Sequence, residues 1–205
     1  MLKKNIICPC GKNFPFEFEE DVDLDAQPQI LESVLNGTFM SIACPSCLKM
    51  HKPEFKVTLN WKSKNYKLTV IPELERGEFY LNKKENIQHE TVIGFPEMAE
   101  RLCIIKDSLE PVVIETLKSY ILAKAEENYP DNDINIRYYC ILPSGIEFHL
   151  DGIRHDEVAI MRITLEMYNN TLEDYKKHPK KTLYTSLRLR SYLSVQNLLR
   201  PDVLK

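Results

Sequence analysis

Two short clusters of cysteine constrain the fold of this chain more than any other feature. The first is Cys8-Pro9-Cys10-Gly11 and the second is Cys44-Pro45-Ser46-Cys47. Cys44 and Cys47 can chelate a metal through one tight turn, and Cys8 and Cys10 face the same side of an extended segment because they are two residues apart. Two thiol pairs that a compact fold brings together complete the tetrahedral coordination of a structural zinc ion. The spacing therefore predicts one zinc site with Cys8, Cys10, Cys44 and Cys47 as its ligands.

Three other interpretations of these cysteines remain open. The four thiols can stay unligated, although a lobe with so few large apolar residues would then be hard to stabilise. An iron–sulfur cluster is a second alternative, but no further cysteine is grouped nearby. In the third alternative, His51 replaces one of the thiolates. The remaining cysteines, Cys103 and Cys140, lie in apolar stretches and are expected to be buried, inert thiols.

The surroundings of the cysteines indicate a protein that keeps its thiols reduced. The chain has 205 residues and six cysteines, and no secretion signal is visible before Cys8. Thiols that are not exported stay reduced, so metal binding is favoured over disulfides and a cytoplasmic location is expected. The longest apolar runs, such as residues 112–114, are too short to span a membrane, so no membrane association is predicted.

Hydrophobic patterning predicts a small β lobe around the cysteines, over about residues 5–72. Phe14, Phe16 and Phe18 alternate with polar residues and acids, which is typical of a half-buried strand. Pro28 suits the first position of a short helix over 29–36, and Gly37 suits its end. A second strand over 39–43 leads to Cys44, so a metal would connect the start of one strand with the end of another. The lobe then closes with a hairpin of strands over 55–61 and 66–71.

The rest of the chain predicts helices and a second hairpin, which together with the first lobe give an α+β fold. The expected elements are a charged loop over 73–94 with a short strand at 78–81, helices over 96–106 and 109–127, a hairpin of strands over 134–142 and 146–150, and helices over 155–175 and 183–199. In the helix over 155–175, apolar residues recur with alternating spacings of three and four, which is typical of a seam against another helix. These residues are Val158, Met161, Leu165, Tyr168, Leu172 and Tyr175. The expected partner is the last helix of the same chain, with a homodimer as the alternative.

Charge is distributed unevenly along the chain. The whole chain has a net charge of −3, but its segment from Lys176 to the end contains eight lysines and arginines and one acid. Such a basic tail can dock on the acidic part of the same chain, on a second copy or on an acidic partner. Nucleic-acid binding is an alternative, because a positive surface with interleaved aromatic residues suits phosphates and bases. The residues concerned are Lys176, Lys177, Lys180, Lys181, Arg188 and Arg190, with Tyr184 and Tyr192.

The cysteine pattern resembles that of the CpXC family, prokaryotic proteins with two Cys-Pro-x-Cys motifs whose function is uncharacterised. The resemblance covers residues 5–128 and includes the segment Leu102–Leu109, which leads into a helix with Glu115 and Lys118. It implies a zinc-binding lobe and no particular reaction. The first motif departs from the family, because Cys8-Pro9-Cys10 is one residue shorter. The domain organisation expected from this resemblance is a CpXC-like domain over 5–128 and a hairpin–helix region with the basic tail over 129–205.

No sequence motif points to catalysis. Four cysteines leave no open coordination position, and the chain has no Gly-rich phosphate loop, nucleophile elbow or His-Glu-x-x-His motif. The best remaining group for a second metal or an acid–base site is His149, Asp151, His155 and Asp156. The function that the sequence favours is a protein-interaction or regulatory module with a structural zinc, which associates with a protein partner or with itself. A nucleic-acid-binding protein and a metal-dependent enzyme centred on residues 149–156 are the alternatives.

Overall fold

A computed structural model describes residues 1–82 and 89–199 of the chain, which divides into two compact units, Met1–Ala99 and Glu100–Lys205. The predicted α+β class is confirmed, because helices and several small sheets occur together. The charged loop predicted over 73–94 lies in part, at 83–88, outside the described residues. The same holds for residues 200–205 of the basic tail. The domain boundary expected after residue 128 stays a prediction.

The first unit is built mainly from short strands. Its elements are β1 (Leu2–Ile7), β2 (Asn13–Phe18), β3 (Asp21–Asp23), α1 (Pro28–Leu35), β4 (Ile42–Ala43), β5 (Met50–His51), β6 (Val57–Trp61), β7 (Tyr66–Ile71), α2 (Arg76–Leu81), β8 (Glu90–Ile93) and the start of α3 (Phe95–Lys106). β1 and β2 form one antiparallel hairpin, and β4 and β5 form another. In the order β8-β7-β6-β3, β6 and β7 are antiparallel and the two outer pairs are parallel.

The predicted alternation of the phenylalanines is confirmed in β2. Phe14, Phe16 and Phe18 are 5%, 8% and 7% exposed, while the residues between them face solvent. Phe18 stacks on Phe55 with ring centroids 4.5 Å apart, which connects this hairpin to the sheet strands. The short helix is also confirmed, with Pro28 in its first turn and Gly37 in the left-handed region just after its end.

The short strand predicted at 78–81 is wrong. These residues belong to α2, where the backbone N–H of Asn82 donates to the carbonyl of Glu78. Phe79 and Tyr80 are consecutive and both buried. A strand would place them on opposite faces, whereas a helix can turn both toward the protein. The strand of this region is β8 instead, which lies within the predicted loop.

The second unit packs helices against a three-stranded antiparallel sheet. After α3 its elements are α4 (Pro111–Asn128), β9 (Asn135–Leu142), β10 (Gly145–Asp151), β11 (Ala159–Ile163), α5 (Leu165–Lys177), α6 (Thr182–Ser186), β12 (Arg188–Leu189), β13 (Tyr192–Leu193) and α7 (Gln196–Leu199). The sheet order is β11-β10-β9, and the core includes Val113, Leu117, Ile146 and Phe148, all fully buried. The helices predicted over 96–106 and 109–127 and the hairpin at 134–150 are confirmed.

The long helix predicted over 155–175 is wrong in its first half. Residues 159–163 form β11, whose Ile163 pairs with Ile146 of β10, and the helix begins only at Leu165. Val158, Ile160 and Ile163 are β-branched, which favours a strand over a helix. Thr164 then starts α5, because its side chain accepts a hydrogen bond from the backbone N–H of Met167.

The helical half of the predicted seam packs inside the chain. Tyr168 is buried, and Leu165, Leu172 and Tyr175 pack against the core of the second unit. The partner is α4 and not a long last helix, which was wrongly predicted over 183–199. That segment contains α6, a hairpin and α7. Arg190 adopts a left-handed conformation in the turn between β12 and β13, which a continuous helix does not allow.

Candidate metal centre

Two hairpin turns position the four cysteines. The first knuckle, residues 8–12, connects β1 to β2, and the second knuckle, residues 44–49, connects β4 to β5. We expected a metal to connect the start of one strand with the end of another, and the structure shows a simpler arrangement. Each thiol pair sits in the turn of its own hairpin, and the two turns face each other.

Backbone hydrogen bonds shape both knuckles in the same way. In the first, the N–H of Cys8 donates to the carbonyl of Lys12 over 2.9 Å, and in the second the N–H of Cys44 donates to that of Lys49 over 2.9 Å. Each turn needs one residue in the left-handed region. Gly11 supplies it in the first with φ of 86°, at no steric cost. Leu48 supplies it in the second with φ of 62°.

The four sulfur atoms lie at the separations that a tetrahedral metal requires. Cys8 Sγ is 3.5 Å from Cys47 Sγ, Cys10 Sγ is 3.7 Å from Cys44 Sγ, and all four sulfurs lie within 4.8 Å of one another. Four sulfurs at about 2.3 Å from a central zinc would be about 3.8 Å apart along each edge of the tetrahedron. Both of these contacts join the two knuckles, so one ion would bridge them. These cysteines therefore lie close together and could hold a metal ion.

The second knuckle favours the thiolate form of Cys44. Burial opposes ionisation of this thiol, but the backbone N–H groups of Cys47 and Ser46 and the neighbouring thiols outweigh burial and lower the pKa of Cys44 to about 6. At Cys8 the backbone N–H of Cys10 favours the thiolate, yet burial and the bonds to neighbouring sulfurs raise the pKa to about 12. The thiolate is the form in which a cysteine binds a metal.

His51 contacts the sulfur cluster from one side. Its Nε2 lies 3.2 Å from Cys8 Sγ, and its ring packs edge-on against Phe14 with centroids 5.8 Å apart. The group of mutually close ligand atoms contains the four sulfurs without this nitrogen. The geometry thus gives His51 a hydrogen bond to one sulfur and leaves the four cysteines as the candidate ligand set.

The interior beneath the cysteines is very small. Its buried members are Cys8, Phe14 and Cys44, with Ile6 and Ile42 partly buried against them. A cluster of this size supplies little hydrophobic stabilisation, because the free energy gained scales with the apolar area removed from water. An additional connection between the knuckles would therefore stabilise this end of the two hairpins.

Comparison with known proteins agrees with this arrangement. The family model described as CpXC protein matches residues 6–118, which include both knuckles. The chain belongs to the CpXC family. It is also 27% identical over 212 residues to an uncharacterised protein of Treponema pallidum (strain Nichols), with 93% of this chain and 96% of that protein covered. No solved structure matches the chain.

The C-terminal part of the CpXC match contains a buried charge network that the sequence analysis did not recognise. It lies in the second unit on α3 and α4. Lys118 Nζ is 2.9 Å from a carboxylate oxygen of Glu100 and 3.2 Å from Glu115, and Arg101 is 3.3 Å from Glu115. The i,i+3 spacing of Glu115 and Lys118 was the available signal. Burial raises the pKa of Glu100, and the two neighbouring carboxylates raise the pKa of Lys118 against the effect of its burial.

His149, Asp151, His155 and Asp156 do not form a group of close metal-ligating side chains in this CpXC protein. His149 Nε2 is 3.0 Å from Glu147, and its ring stacks on Tyr139 with centroids 4.0 Å apart. Asp151 pairs with Arg137 instead. His155 and Asp156 precede β11 in an exposed turn, with side chains 94% and 89% exposed, and do not open a helix as predicted. Within residues 1–82 and 89–199, only the four cysteines form a group of metal-ligating side chains.

The basic tail does not present the expected aromatic residues. Tyr184 and Tyr192 are 3% and 0% exposed, so neither ring is available for stacking on a base. Lys177 and Lys181 pair with Glu173 and Asp174, and Lys176 and Lys177 lie in the last turn of α5, where positive charge is favourable for the helix dipole. The base-stacking part of the nucleic-acid alternative is therefore wrong for the described part of the tail.

Cys103 and Cys140 belong to the second unit and are not members of the group of four close cysteines. Both thiols are partly buried, less than the sequence led us to expect, and burial raises the pKa of each. They therefore remain protonated at neutral pH and are poor nucleophiles.

None of the helices within residues 1–82 and 89–199 has both the length and the apolar composition needed to cross a membrane.

Proposed function

We propose that this CpXC protein binds one structural Zn²⁺ through Cys8, Cys10, Cys44 and Cys47. The observation that carries the proposal is the set of sulfur separations, 3.5 and 3.7 Å between the two knuckles. An all-thiolate set in a tetrahedral arrangement suits zinc better than harder cations, which prefer oxygen ligands. The N–H groups directed at Cys44 support the same assignment, because they stabilise a thiolate.

The zinc is proposed to stabilise the fold and not to catalyse a reaction. Four thiolates fill the coordination sphere, whereas a catalytic zinc keeps one position for water or substrate. The small interior beneath the knuckles explains why the hairpins would need the metal. A stable lobe without a catalytic position suits a module that presents a surface to a protein partner, and we propose this interaction or regulatory role for the protein.

Metal analysis of the full chain tests the zinc site. We expect one zinc per chain by elemental analysis, and chelation should lower the melting temperature of the protein because metal binding and folding of such sites are coupled. Replacement by Co²⁺ should give the intense absorption bands of a tetrahedral thiolate site. The Cys44→Ser variant should lose the metal, and Cys103→Ser, which changes a cysteine of the second unit, should keep it.

Two results would overturn this proposal. The first is a chain isolated without metal that also fails to take up Zn²⁺ after reduction. The second is a chelated protein whose melting temperature equals that of the untreated one. An iron–sulfur cluster would be recognised by iron and sulfide in the analysis and by its colour.

A further inference from the structure

We propose that the metal-binding end of the first unit is a docking surface for an acidic protein segment with interspersed apolar side chains. The surface consists of the two knuckles and the residues beside them. This inference rests on the proposed interaction role and specifies the chemistry of the partner. Three observations support it: exposed aliphatic side chains, an excess of lysine and the absence of an exposed aromatic platform.

The aliphatic side chains occur at both knuckles. Ile7, directly before Cys8, is 76% exposed, and Leu48, directly after Cys47, is 75% exposed. Met50 follows in β5 with 57% exposure. One exposed aliphatic residue is ordinary on a protein surface. Here Ile7 and Leu48 adjoin cysteines whose sulfurs lie within 4.8 Å of one another, and Met50 begins the strand after the second knuckle. Apolar side chains that cluster at an exposed end of a protein are typical of an interaction site.

The same end contains lysines without carboxylates. Segments 1–16 and 36–53 supply both knuckles and contain no aspartate or glutamate, although the whole chain has 30. Their lysines are Lys3, Lys4, Lys12, Lys49 and Lys52. Lys12 and Lys49 are exposed within the knuckles themselves.

The lysines outnumber the negative charges that face them. A zinc ion with four thiolates has a net charge of −2, and Lys3 pairs with Glu17 over 3.1 Å. Lys4 pairs in register with Phe16, nearer the opposite end of the β1–β2 hairpin. Lys12, Lys49 and Lys52 therefore leave the metal-binding end positive. The acidic residues that follow Phe18 lie at the opposite end of the β1–β2 hairpin, because Phe18 pairs with Leu2 while Asn13 pairs with Ile7. Five residues of strand separate the two ends by roughly 17 Å, which exceeds the screening length in physiological salt.

The aromatic residues distinguish a peptide partner from a nucleic acid. Proteins that bind single strands stack bases on exposed aromatic rings. In these two segments Phe14, Phe16 and Phe39 are all less than a tenth exposed. Exposed aliphatic side chains beside lysines instead complement a peptide segment that alternates carboxylates with apolar side chains. In such a complex the apolar side chains bury one another and the carboxylates pair with the lysines.

Selection from a displayed peptide library, with the zinc-loaded full chain as bait, tests this surface. We expect the selected peptides to be enriched in Asp and Glu interspersed with Leu, Ile or Phe. Their affinity, measured by fluorescence polarisation, should fall at least about tenfold for the Lys12→Glu/Lys49→Glu variant, because each substitution replaces an attraction to the acidic peptide with a repulsion. The Leu48→Ser/Met50→Ser variant should lose a similar amount. Lys67→Glu, which changes an exposed lysine on β7, should bind like the wild type.

Every other result counts against the docking surface. Selected peptides without acidic enrichment, no selected peptide, or equal affinity of all variants would overturn it. Tighter, salt-sensitive binding of a single-stranded oligonucleotide that the Lys12→Glu/Lys49→Glu variant loses would assign the surface to nucleic acid. Zinc content measured on each preparation separates the two proposals. A zinc-loaded chain that selects no acidic peptide refutes only the surface, and a metal-free chain that selects such peptides refutes only the zinc.

Discussion

His51 places Nε2 3.2 Å from the Sγ atom of Cys8, on the side of the sulfur cluster that Phe14 covers. The contact connects β5 to the first knuckle independently of any metal. A hydrogen bond from an imidazole N–H to a metal-bound thiolate orients that ligand and reduces its negative charge. His51 is therefore expected to support the proposed zinc site without coordinating the ion.

Replacing His51 should weaken zinc binding without abolishing it. We expect His51→Ala to keep one zinc per chain and to lower the zinc affinity about 10- to 100-fold, because it removes a hydrogen bond to one ligand. Competition against a chromogenic chelator measures the affinity, and His149→Ala in the second unit is the matched control. Loss of the stoichiometric zinc together with a changed Co²⁺ spectrum would instead identify His51 as a ligand in place of a cysteine.

Zinc removal should change which cysteines react with an alkylating agent. In the zinc-loaded protein we expect all four metal-centre cysteines to be protected, because their sulfurs are coordinated. After chelation the exposed Cys10 and Cys47 should be alkylated readily. Cys103 and Cys140 should react slowly in both states, because burial raises the pKa of their thiols. Mass spectrometry of the labelled peptides makes the measurement, and identical labelling with and without chelator would contradict a metal at this site.

Disrupting the buried charge network should destabilise the second unit strongly. Lys118→Met leaves the buried carboxylate of Glu100 without its cation and leaves Glu115 paired with Arg101 alone. Loss of one partner of a buried pair costs about 3–5 kcal/mol. Urea unfolding and hydrogen exchange of the α4 amides measure the effect. Lys177→Met removes an exposed pair with Glu173 and should leave both unchanged. Equal stability of the two variants would show that the network contributes little.

Glu147 should contribute to the loss of stability in acid. Hydrogen bonds from His149 and Arg162 hold the pKa of this carboxyl below its usual range. A folded-state pKa below the unfolded value means that the stabilisation is present above the unfolded pKa and is lost as the pH falls through the folded one. Between pH 6 and pH 3 the wild type should therefore lose more stability than Glu147→Gln. Thermal melts across this range test it, and parallel curves for the two proteins would exclude the contribution.

Local features of the sequence were sufficient to predict much of the first unit. The alternation of Phe14, Phe16 and Phe18 follows from the two-residue period of a strand, and Pro28 and Gly37 mark the ends of α1 through their own backbone preferences. At Phe79 and Tyr80 the predicted strand is wrong, because a short apolar run does not distinguish a strand from a helix.

The errors in the second unit have a common physical cause. Val158, Met161 and Leu165 have helical spacing. Val158 nevertheless precedes the edge strand β11 and Met161 lies within it, because β10 offers this segment hydrogen-bond partners. In the same way, Leu187 and Tyr192 are buried in a tight turn and hairpin that resemble a helix in composition. Pairing between strands that are distant in the chain has no local signal.

The sequence by itself determined the candidate ligands, since two cysteine pairs beside turn-forming residues can be recognised from spacing alone. It also determined the α+β class, because helical and alternating periods are local properties. Only the tertiary structure decided that the two pairs occupy facing hairpin turns with sulfurs 3.5 and 3.7 Å apart. It also decided that His51 contacts Cys8. These relationships depend on contacts across more than thirty residues of chain, and the free energy of such contacts arises from packing that no local pattern encodes.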